Sequence, residues 1–300
     1  MKPELVARGV RFGEGPTWRA DSGDLIVTSV MDGLLWRVDP GDGSTEIFAD
    51  TAGGPNGSTP CSDGGVLVTQ NGGMDFGELG LIPPDQAPRP RYTTPCLQRV
   101  GPDGAVRELC GIDAGLRAPN DLVIDAENNV VFTDPPHYPP PEGLKSRLLR
   151  YRSEDLTPSG AQTLDPGGRL EILAVVDAYI NGVGISPEGR VLIVDGRGLR
   201  WIDPDGGRTW LIEDSGGGDG FAFDREGRVY LCVPGTGLRV VDPDGRLVED
   251  LELPEGAFLT NCCFGGDDLR TLFAMDALGN NVLAWDGMPT PGLPIRTYQA

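Results

Sequence analysis

The sequence predicts an all-β protein, a single six-bladed β-propeller domain over residues 1–300, and three observations support this fold. Short apolar runs are separated by frequent turn formers, 45 glycines and 27 prolines, as expected where turns join short strands. Similar units recur at intervals of roughly 40 residues. No extended stretch shows the apolar period of an amphipathic helix.

The repeats are clearest in the second half of the chain. Residues 188–212 and 226–251 both contain a turn, an apolar strand, a short connection, a second strand that ends in "DPDG" and a further strand. Residues 22–48 follow the same order, and three looser copies bring the number of units to six. About four short strands per unit is the content of one propeller blade.

Both ends of the chain are strand-like, with LVARGV at residues 5–10 and PIRTYQA at residues 294–300. We expect these two segments to pair in one blade, because joining the termini removes exposed sheet edges. The ring of blades would then be closed by the two ends of the chain.

Two segments interrupt the repeats, residues 72–95 and 135–146, and both are rich in proline. Proline removes a ladder hydrogen bond, so neither segment is expected to form a central strand. We expect long loops over one face of the propeller, where ligands tend to bind. The first segment also offers an apolar lid, formed by Met74, Phe76, Leu79, Leu81 and Ile82.

Composition and charge exclude several classes of partner. The formal net charge of −20 repels phosphate backbones, so nucleic acid is not an expected partner. No apolar run approaches the roughly 20 residues of a membrane span, and the N-terminal residues lack the apolar core of a signal peptide, so we expect a soluble, cytoplasmic protein. The six cysteines contain no C-x-x-C pair and His137 is the only histidine, which favours buried, reduced thiols over a Cys/His zinc site.

One oxygen-bearing side chain stands just before the first strand of each unit. If that strand is innermost, the six equivalent positions lie on one ring around the central channel: Glu14, Asn56, Asn120, Asn181, Asp219 and Asn261. The alternative is that the Asn-Gly and Asp-Gly pairs are ordinary turn dipeptides. Glutamate has no turn preference, and Asn120 and Asn261 are not followed by glycine, so the ring is favoured.

This set of carboxylate and amide oxygens predicts a metal site. Two buried carboxylates repel one another unless a positive charge lies between them, and a divalent cation supplies that charge. Calcium accepts roughly six to eight oxygen ligands, amides and water included, whereas magnesium demands stricter geometry. Calcium (Ca2+) is therefore favoured, with Mn2+, Mg2+ and Zn2+ as alternatives.

Five segments, "EGPTW", "APNDLVID", "INGVGIS", "GDGFAFD" and "TNCCFGG", occur in this order along nearly the whole chain. Together they resemble the SMP-30/gluconolactonase/luciferin-regenerating-enzyme-like family. The resemblance implies a six-bladed propeller with one divalent metal in the channel. It also implies hydrolysis of sugar-acid lactones, while relatives cleave aryl esters or organophosphates.

The resemblance also implies roles for individual residues. Glu14, Asn181 and Asp219 match the metal ligands of the family. Asn120 matches a residue that contacts metal or substrate, depending on the member. Asp219 matches the aspartate usually proposed as the catalytic base.

The sequence departs from the family at one position. Members that act on sugar lactones often carry an arginine two residues before the asparagine that matches Asn120, and here Ala118 stands at that position. Arg117 is one place off, so it would point elsewhere from an extended segment. A less hydroxylated lactone or an ester is therefore a candidate substrate beside the sugar-acid lactones.

Two functions remain open. The first is a metal-dependent lactonase, or a related esterase or organophosphate hydrolase, in which the cation activates the carbonyl and water attacks. Asp219 is the candidate base and Asp121 the reserve, although Asp121 can also be read as a strand-entry carboxylate that binds backbone N–H groups. Asn120, Asp121 and His137 are candidates for substrate contact. The second function is a propeller that binds a small molecule or a protein around a structural metal.

Overall fold

The computed structural model describes residues 1–153, 164, 169–204 and 206–300. In these residues 24 strands form six four-stranded sheets, and the strand pairings within the sheets are antiparallel. The predicted all-β six-bladed propeller is confirmed. A short 3-10 helix at Ile112–Ala114 precedes the third blade, and Asp205, in the "DPDG" turn of the fourth unit, lies outside the described residues.

The first three blades follow one another along the chain, each with its strands in sequence order from the channel outwards. Blade one contains β2 (Gly13–Arg19), β3 (Asp24–Ser29), β4 (Leu34–Val38) and β5 (Thr45–Asp50). Blade two contains β6 (Pro55–Pro60), β7 (Val66–Gln70), β8 (Cys96–Val100) and β9 (Val106–Cys110). Blade three contains β10 (Leu122–Ile124), β11 (Val130–Asp134), β12 (Ser146–Tyr151) and β13 (Leu170–Val176).

The other three blades complete the ring. Blade four contains β14 (Ile180–Ile185), β15 (Val191–Asp195), β16 (Gly198–Ile202) and β17 (Arg208–Ile212). Blade five contains β18 (Phe221–Phe223), β19 (Val229–Val233), β20 (Gly237–Val241) and β21 (Leu247–Leu251). Blade six contains β22 (Leu259–Gly265), β23 (Thr271–Asp276), β24 (Asn281–Trp285) and, as its outer strand, β1 (Glu4–Arg8).

Burial decreases from the inner to the outer strands, and the residue types follow it. The second strand of blade five, VYLCV, is buried at every position because blades pack against both of its faces. Such strands read as continuous apolar runs. The outer strand β17, RTWLI, has no buried position. Separate clusters of buried apolar side chains lie at the six interfaces between neighbouring blades.

The prediction that both chain ends pair in one blade is wrong for the C-terminal segment. The outer strand of blade six is β1, which pairs with β24 in the register Glu4↔Ala284. Residues 289–299 instead cross the far end of the channel, where Gly292 forms a bridge with Asp224 and Tyr298 forms one with Cys61. Three prolines at positions 289, 291 and 294 remove donors that a ladder strand requires.

The strand directions place both insertions over the mouth of the channel. Each inner strand begins opposite the end of the second strand of its blade, as in the pairs Gly13↔Ser29 and Pro55↔Gln70. The insertions follow β7 and β11, which are second strands. They therefore leave the sheets on the face where the inner strands begin, as the sequence predicted. No helix among the described residues is long and apolar enough to span a membrane.

Hydrogen bonds link each blade to the next where the inner strands begin. The bonds run, in blade order, from Thr28 Oγ1 to Asn56 O (2.6 Å), Gly57 N to Asn120 O (2.8 Å), Thr133 Oγ1 to Asn181 O (2.7 Å), Gly182 N to Asp219 O (3.1 Å), Gly220 N to Thr260 O (2.7 Å) and Thr260 Oγ1 to Gly13 O (2.8 Å). We call this series the inner ring. Four of its acceptors are carbonyl groups of residues predicted to carry the site.

Glycine follows two of the predicted site residues, Glu14 and Asn181, at points where neighbouring inner strands approach closely. At Gly182, a Cβ atom would lie 2.5 Å from the carbonyl oxygen of Asp219. At Gly15, a Cβ atom would overlap the carbonyl oxygen of Asn56, and the backbone has a φ of +40°, a conformation that glycine adopts at low cost. Both glycines therefore mark close packing between blades. The alternative interpretation of Asn181-Gly182 as an ordinary turn dipeptide does not apply, because both residues lie in strand β14.

We expect Gly182→Ala to lower the free energy of unfolding by roughly 1–3 kcal/mol, the usual cost of overpacking. Urea denaturation followed by tryptophan fluorescence measures this as a lower midpoint at an unchanged slope. Gly237→Ala is the matched control, because a Cβ atom there meets no heavy atom within 4 Å, and it should leave the midpoint unchanged or slightly raised. An unaltered midpoint for Gly182→Ala would show that the two inner strands separate without cost.

Candidate functional site

Irregularities in the inner strands release the predicted site residues from the sheet ladders. The register of the inner strand shifts between Glu14 and Thr17 in blade one, between Ile180 and Val183 in blade four, and at equivalent places in blades two and six. Bulges of this kind redirect side chains and are frequent beside functional sites. In blades three and five, the ring residues stand just before short inner strands.

The structure brings together side chains from five blades. Glu14 interacts electrostatically with Asp219 and Asp121, and its carboxylate is hydrogen-bonded with Asn261. Asn261 is also hydrogen-bonded with Asp121. Asn181 is hydrogen-bonded with Asp219. Four of the six ring residues predicted from the repeats, Glu14, Asn181, Asp219 and Asn261, therefore meet in the channel, and with Asp121 they form one cluster with three carboxylates.

Three buried oxygen atoms of the predicted site positions have no hydrogen-bond partner among the residues that the structure describes. They are Glu14 Oε2, Asn56 Oδ1 and Asn181 Oδ1. A buried acceptor without a donor costs roughly 1–3 kcal/mol, so such atoms are rare unless something else satisfies them. All three are hard oxygen atoms, the donors that calcium and magnesium prefer.

The donor set fits a divalent cation only if amide oxygens take part. Among the described residues, no group of three or more His, Cys, Asp or Glu side chains could hold a metal ion by itself. Glu14 and Asp219 supply charge, and Asn181, in the inner strand of blade four, supplies a neutral oxygen. Calcium accepts such mixed sets of carboxylates, amides and water.

Removal from water shifts the protonation of the three carboxyl groups. Burial raises the pKa of Asp219 to about 8, and the charge of Asp121 adds to the rise, whereas the hydrogen bond with Asn181 opposes it. Burial raises the pKa of Asp121 to about 6. Burial and then the charges of Asp219 and Asp121 raise the pKa of Glu14 well above its ordinary value. The cluster therefore disfavours three simultaneous negative charges without a compensating cation.

Asp121 is held by backbone donors from two blades. Its Oδ1 accepts a hydrogen bond from Leu122 N at 3.0 Å, and its Oδ2 accepts one from Val183 N at 3.4 Å. This agrees with the reading of Asp121 as a strand-entry carboxylate that binds local N–H groups. Its contact with Asn261 and its electrostatic interaction with Glu14 nevertheless place it beside the other two carboxylates.

The neighbourhood of Asn120 contains a residue that the sequence did not indicate. Asn120 is buried, and its side chain is hydrogen-bonded with Tyr179. The Tyr179 hydroxyl also interacts electrostatically with Asp219 and Glu14, and burial followed by these charges raises its pKa. Tyr179 lies two residues before Asn181, where the equivalent residues of other units are Phe12, Gly54, Ala118, Gly217 and Leu259. Repeat comparison therefore gave no signal for it.

The backbone before Asn120 is held in place by the buried carboxylate of Asp134. Asp134, fully buried, accepts hydrogen bonds from the backbone N–H groups of Arg117 (2.9 Å) and Ala118 (3.1 Å) and pairs with Arg147. The Arg117 side chain donates to Lys145 O, so it points away from the carboxylate cluster, as expected. Ala118 is itself buried.

His137 stands in an outer cleft and makes no described contact with Glu14 or Asp219. Its side chain is exposed, and it lies with Tyr138 and Pro139 opposite Met74 and Tyr92. The cleft separates the two insertions above the channel mouth. A role for His137 in substrate contact stays a prediction, and the structure places it in the outer cleft rather than in the cluster.

The predicted apolar lid is largely an anchor. Phe76 is buried with its ring 4.6 Å from that of Phe12. Leu81 and Ile82 pack against the same cluster of propeller residues, which includes Val30 and Met31. These side chains point back onto the propeller because burial there removes their apolar surface from water. Of the five predicted lid residues, Met74 and Leu79 line the outer cleft.

Comparison with known proteins supports the sequence resemblance. Residues 12–277 match the family described as the SMP-30/Gluconolactonase/LRE-like region. A gluconolactonase of Zymomonas mobilis is 27% identical over 294 residues, an alignment that covers 90% of this chain and 77% of that protein.

Solved structures share the fold. A gluconolactonase of Xanthomonas campestris superimposes with a TM-score of 0.70 at 22% identity, covering 96% of this chain and 89% of that one. The calcium-binding protein regucalcin of Agrobacterium tumefaciens superimposes with a TM-score of 0.73 at 16% identity, covering 100% of this chain and 99% of that one. Similarity at this identity establishes the propeller and no more. Because the family match extends over most of the chain, this protein belongs to the SMP-30/gluconolactonase/LRE-like family.

Proposed function

We propose that this protein is a hydrolase that opens a lactone with the help of one divalent cation, calcium by preference. Glu14, Asn181 and Asp219 would hold the cation, with Asn120 in or beside the coordination shell. The observation that carries the proposal is that two buried oxygens beside the carboxyl group of Asp219, Glu14 Oε2 and Asn181 Oδ1, have no hydrogen-bond partner in the described part of the chain.

Charge balance supports the proposal. The charge of Asp219 raises the free-energy cost of ionising Glu14, and the charge of Asp121 raises this cost for both carboxyl groups. Glu14 and Asp219 would both be charged ligands of a bound cation, whose positive charge would offset this cost. The names of two relatives agree with this chemistry, since one is a gluconolactonase and the other a calcium-binding protein.

The residues of the chain have separate tasks in lactone opening. When bound, the cation supplies positive charge that stabilises the developing oxyanion. Asp219 accepts a proton from the attacking water, and this proton passes to the ring oxygen of the lactone as the acyl C–O bond breaks. Asn120, held in place by its hydrogen bond with Tyr179, orients the lactone carbonyl. Asp121, bound to two backbone N–H groups, is the reserve proton acceptor.

The surroundings of Asn120 favour a less hydroxylated substrate over a sugar-acid lactone. Ala118 carries no donor for a sugar hydroxyl, and Arg117 is bonded to Lys145 O outside the cluster. Each hydroxyl group left without a partner in a desolvated site costs roughly 1–3 kcal/mol. We therefore expect a small or apolar lactone to exceed gluconolactone in kcat/KM.

Lactone turnover should stop in the presence of EDTA and return when calcium is added. A pH-stat assay of γ-butyrolactone and gluconolactone, corrected for spontaneous hydrolysis, measures this directly. Manganese and zinc should be tested in parallel. A folded, metal-loaded protein that hydrolyses neither lactones nor esters would contradict the proposal and favour a propeller that binds a small molecule or a protein.

Asp219→Ala should weaken calcium binding by about 100-fold or more, because the remaining shell has one charged ligand. Isothermal calorimetry on the chelator-treated protein measures the affinity. Asp244→Ala, on an exposed turn of the same blade, is the matched control and should bind calcium as the wild type does. Unaltered binding by the Asp219→Ala variant would place the cation elsewhere.

The metal-free protein should lose stability as the pH rises from about 4 to about 8. The pKa of Asp219 is 3.8 ordinarily and about 8 in the folded chain, so the folded state holds a proton that the unfolded state has released. Thermal unfolding at several pH values should therefore show a larger stabilisation by calcium at pH 8 than at pH 5. The Asp219→Asn variant should show a smaller pH dependence without metal, and an equally steep loss would assign it to other groups.

A further inference from the structure

The two insertions enclose a cleft above the channel mouth. Residues 72–95 supply Met74, Leu79 and Tyr92, and residues 135–146 supply His137, Tyr138 and Pro139. Both insertions follow the second strand of their blade, so the cleft opens on the face where the inner strands begin. This space is the outer cleft in which His137 lies.

An aromatic pair connects the outer cleft with the carboxylate cluster. The rings of Tyr138 and Tyr179 meet edge to face, with centroids 5.8 Å apart and an angle of 80°. Tyr179 is in turn hydrogen-bonded with Asn120 and interacts electrostatically with Asp219 and Glu14. A molecule whose reacting group lay against Asn120 would therefore extend past Tyr179 toward Tyr138.

The outer cleft exposes aromatic surface on the side chains of Tyr92 and Tyr138. Tyr92 is 67% exposed and Tyr138 is 54% exposed, which is unusual for side chains of this size in a cleft. Aromatic rings bind other planar groups by stacking or edge contacts. The cleft is therefore suited to a flat, apolar group of a ligand.

The charges of the outer cleft oppose an anionic ligand. Asp75 and Glu78 line the cleft, and none of its described lining residues is a lysine or an arginine. Nearby cations are engaged elsewhere, since Arg91 binds both carboxylate oxygens of Asp50 (2.8 and 2.9 Å) and Lys145 pairs with Asp177 (2.8 Å). The net charge of −20 adds to the repulsion.

We propose that the outer cleft is a substrate subsite that binds a neutral, planar substituent on the lactone ring, with Tyr92 and Tyr138 as its specificity determinants. The inference rests on the proposed lactonase function and names the class of substrate for it. The lactone carbonyl lies at Asn120, and the substituent passes Tyr179 to lie against Tyr138.

Three lactones that differ only in the substituent test this assignment: γ-butyrolactone, γ-phenyl-γ-butyrolactone and its 4-carboxyphenyl analogue. With calcium present, the wild type should show a kcat/KM at least tenfold higher for the phenyl lactone than for either of the others. Tyr138→Ala and Tyr92→Ala should each reduce kcat/KM for the phenyl lactone about tenfold and leave γ-butyrolactone within twofold. Trp210→Ala removes an exposed aromatic side chain from the outer strand of blade four and should change neither value.

Turnover of γ-butyrolactone without a preference for the phenyl lactone would overturn the subsite and leave the lactonase function intact. An equal loss for all three lactones in Tyr138→Ala would also overturn it. Binding of the inert ether 2-phenyltetrahydrofuran, measured by calorimetry, tests the subsite independently of turnover. Binding that is lost in Tyr138→Ala supports the subsite even if no lactone is hydrolysed, and absence of binding to the wild type overturns it.

Discussion

The hydrogen bonds of the inner ring are the constraint on which both the fold and the site depend. Each blade pairs its own four strands, and the inner ring, with the apolar layers between blades, sets the position of one blade relative to the next. The acceptors include the backbone carbonyls of Asn56, Asn120, Asn181 and Asp219. Any shift of a blade therefore moves a side chain of the candidate site. Five sheets remote in sequence can hold one cluster because their backbones are joined at that point.

The carboxylate cluster is a cost that the rest of the molecule must offset. Glu14, Asp121 and Asp219 are all removed from water, and the charges of Asp121 and Asp219 further raise the cost of ionising Glu14. Domains are stable by only roughly 5–15 kcal/mol in total, so a cluster of this kind must be outweighed by packing elsewhere. The apolar layers supply that excess, with side chains such as Leu25 and Trp285 fully buried. A bound cation would convert the same cluster from a cost into a source of stability.

The position of the outer cleft is set by the two insertions, which lengthen blades two and three. Both insertions occupy the connection between second and third strands, and they do so in neighbouring blades. They therefore meet above the channel, next to the start of the inner strands. Phe76, packed on Phe12, secures the first insertion to the propeller, which leaves Tyr92 and Tyr138 uncovered. The propeller thus keeps the cluster constant while loop residues can change what reaches it.

The sequence by itself determined the number of blades, the innermost strands and the ring positions from Glu14 to Asn261. These are repeated local signals, apolar strands and turn residues, and repetition made each copy evidence for the others. Only the tertiary structure decided that β1 rather than the C-terminal segment completes blade six, that Phe76 is an anchor, and that Tyr179 stands beside Asn120. All three are contacts between segments that are distant in the sequence. They depend on which surfaces the assembled blades leave exposed. Such contacts leave no periodic trace in the chain.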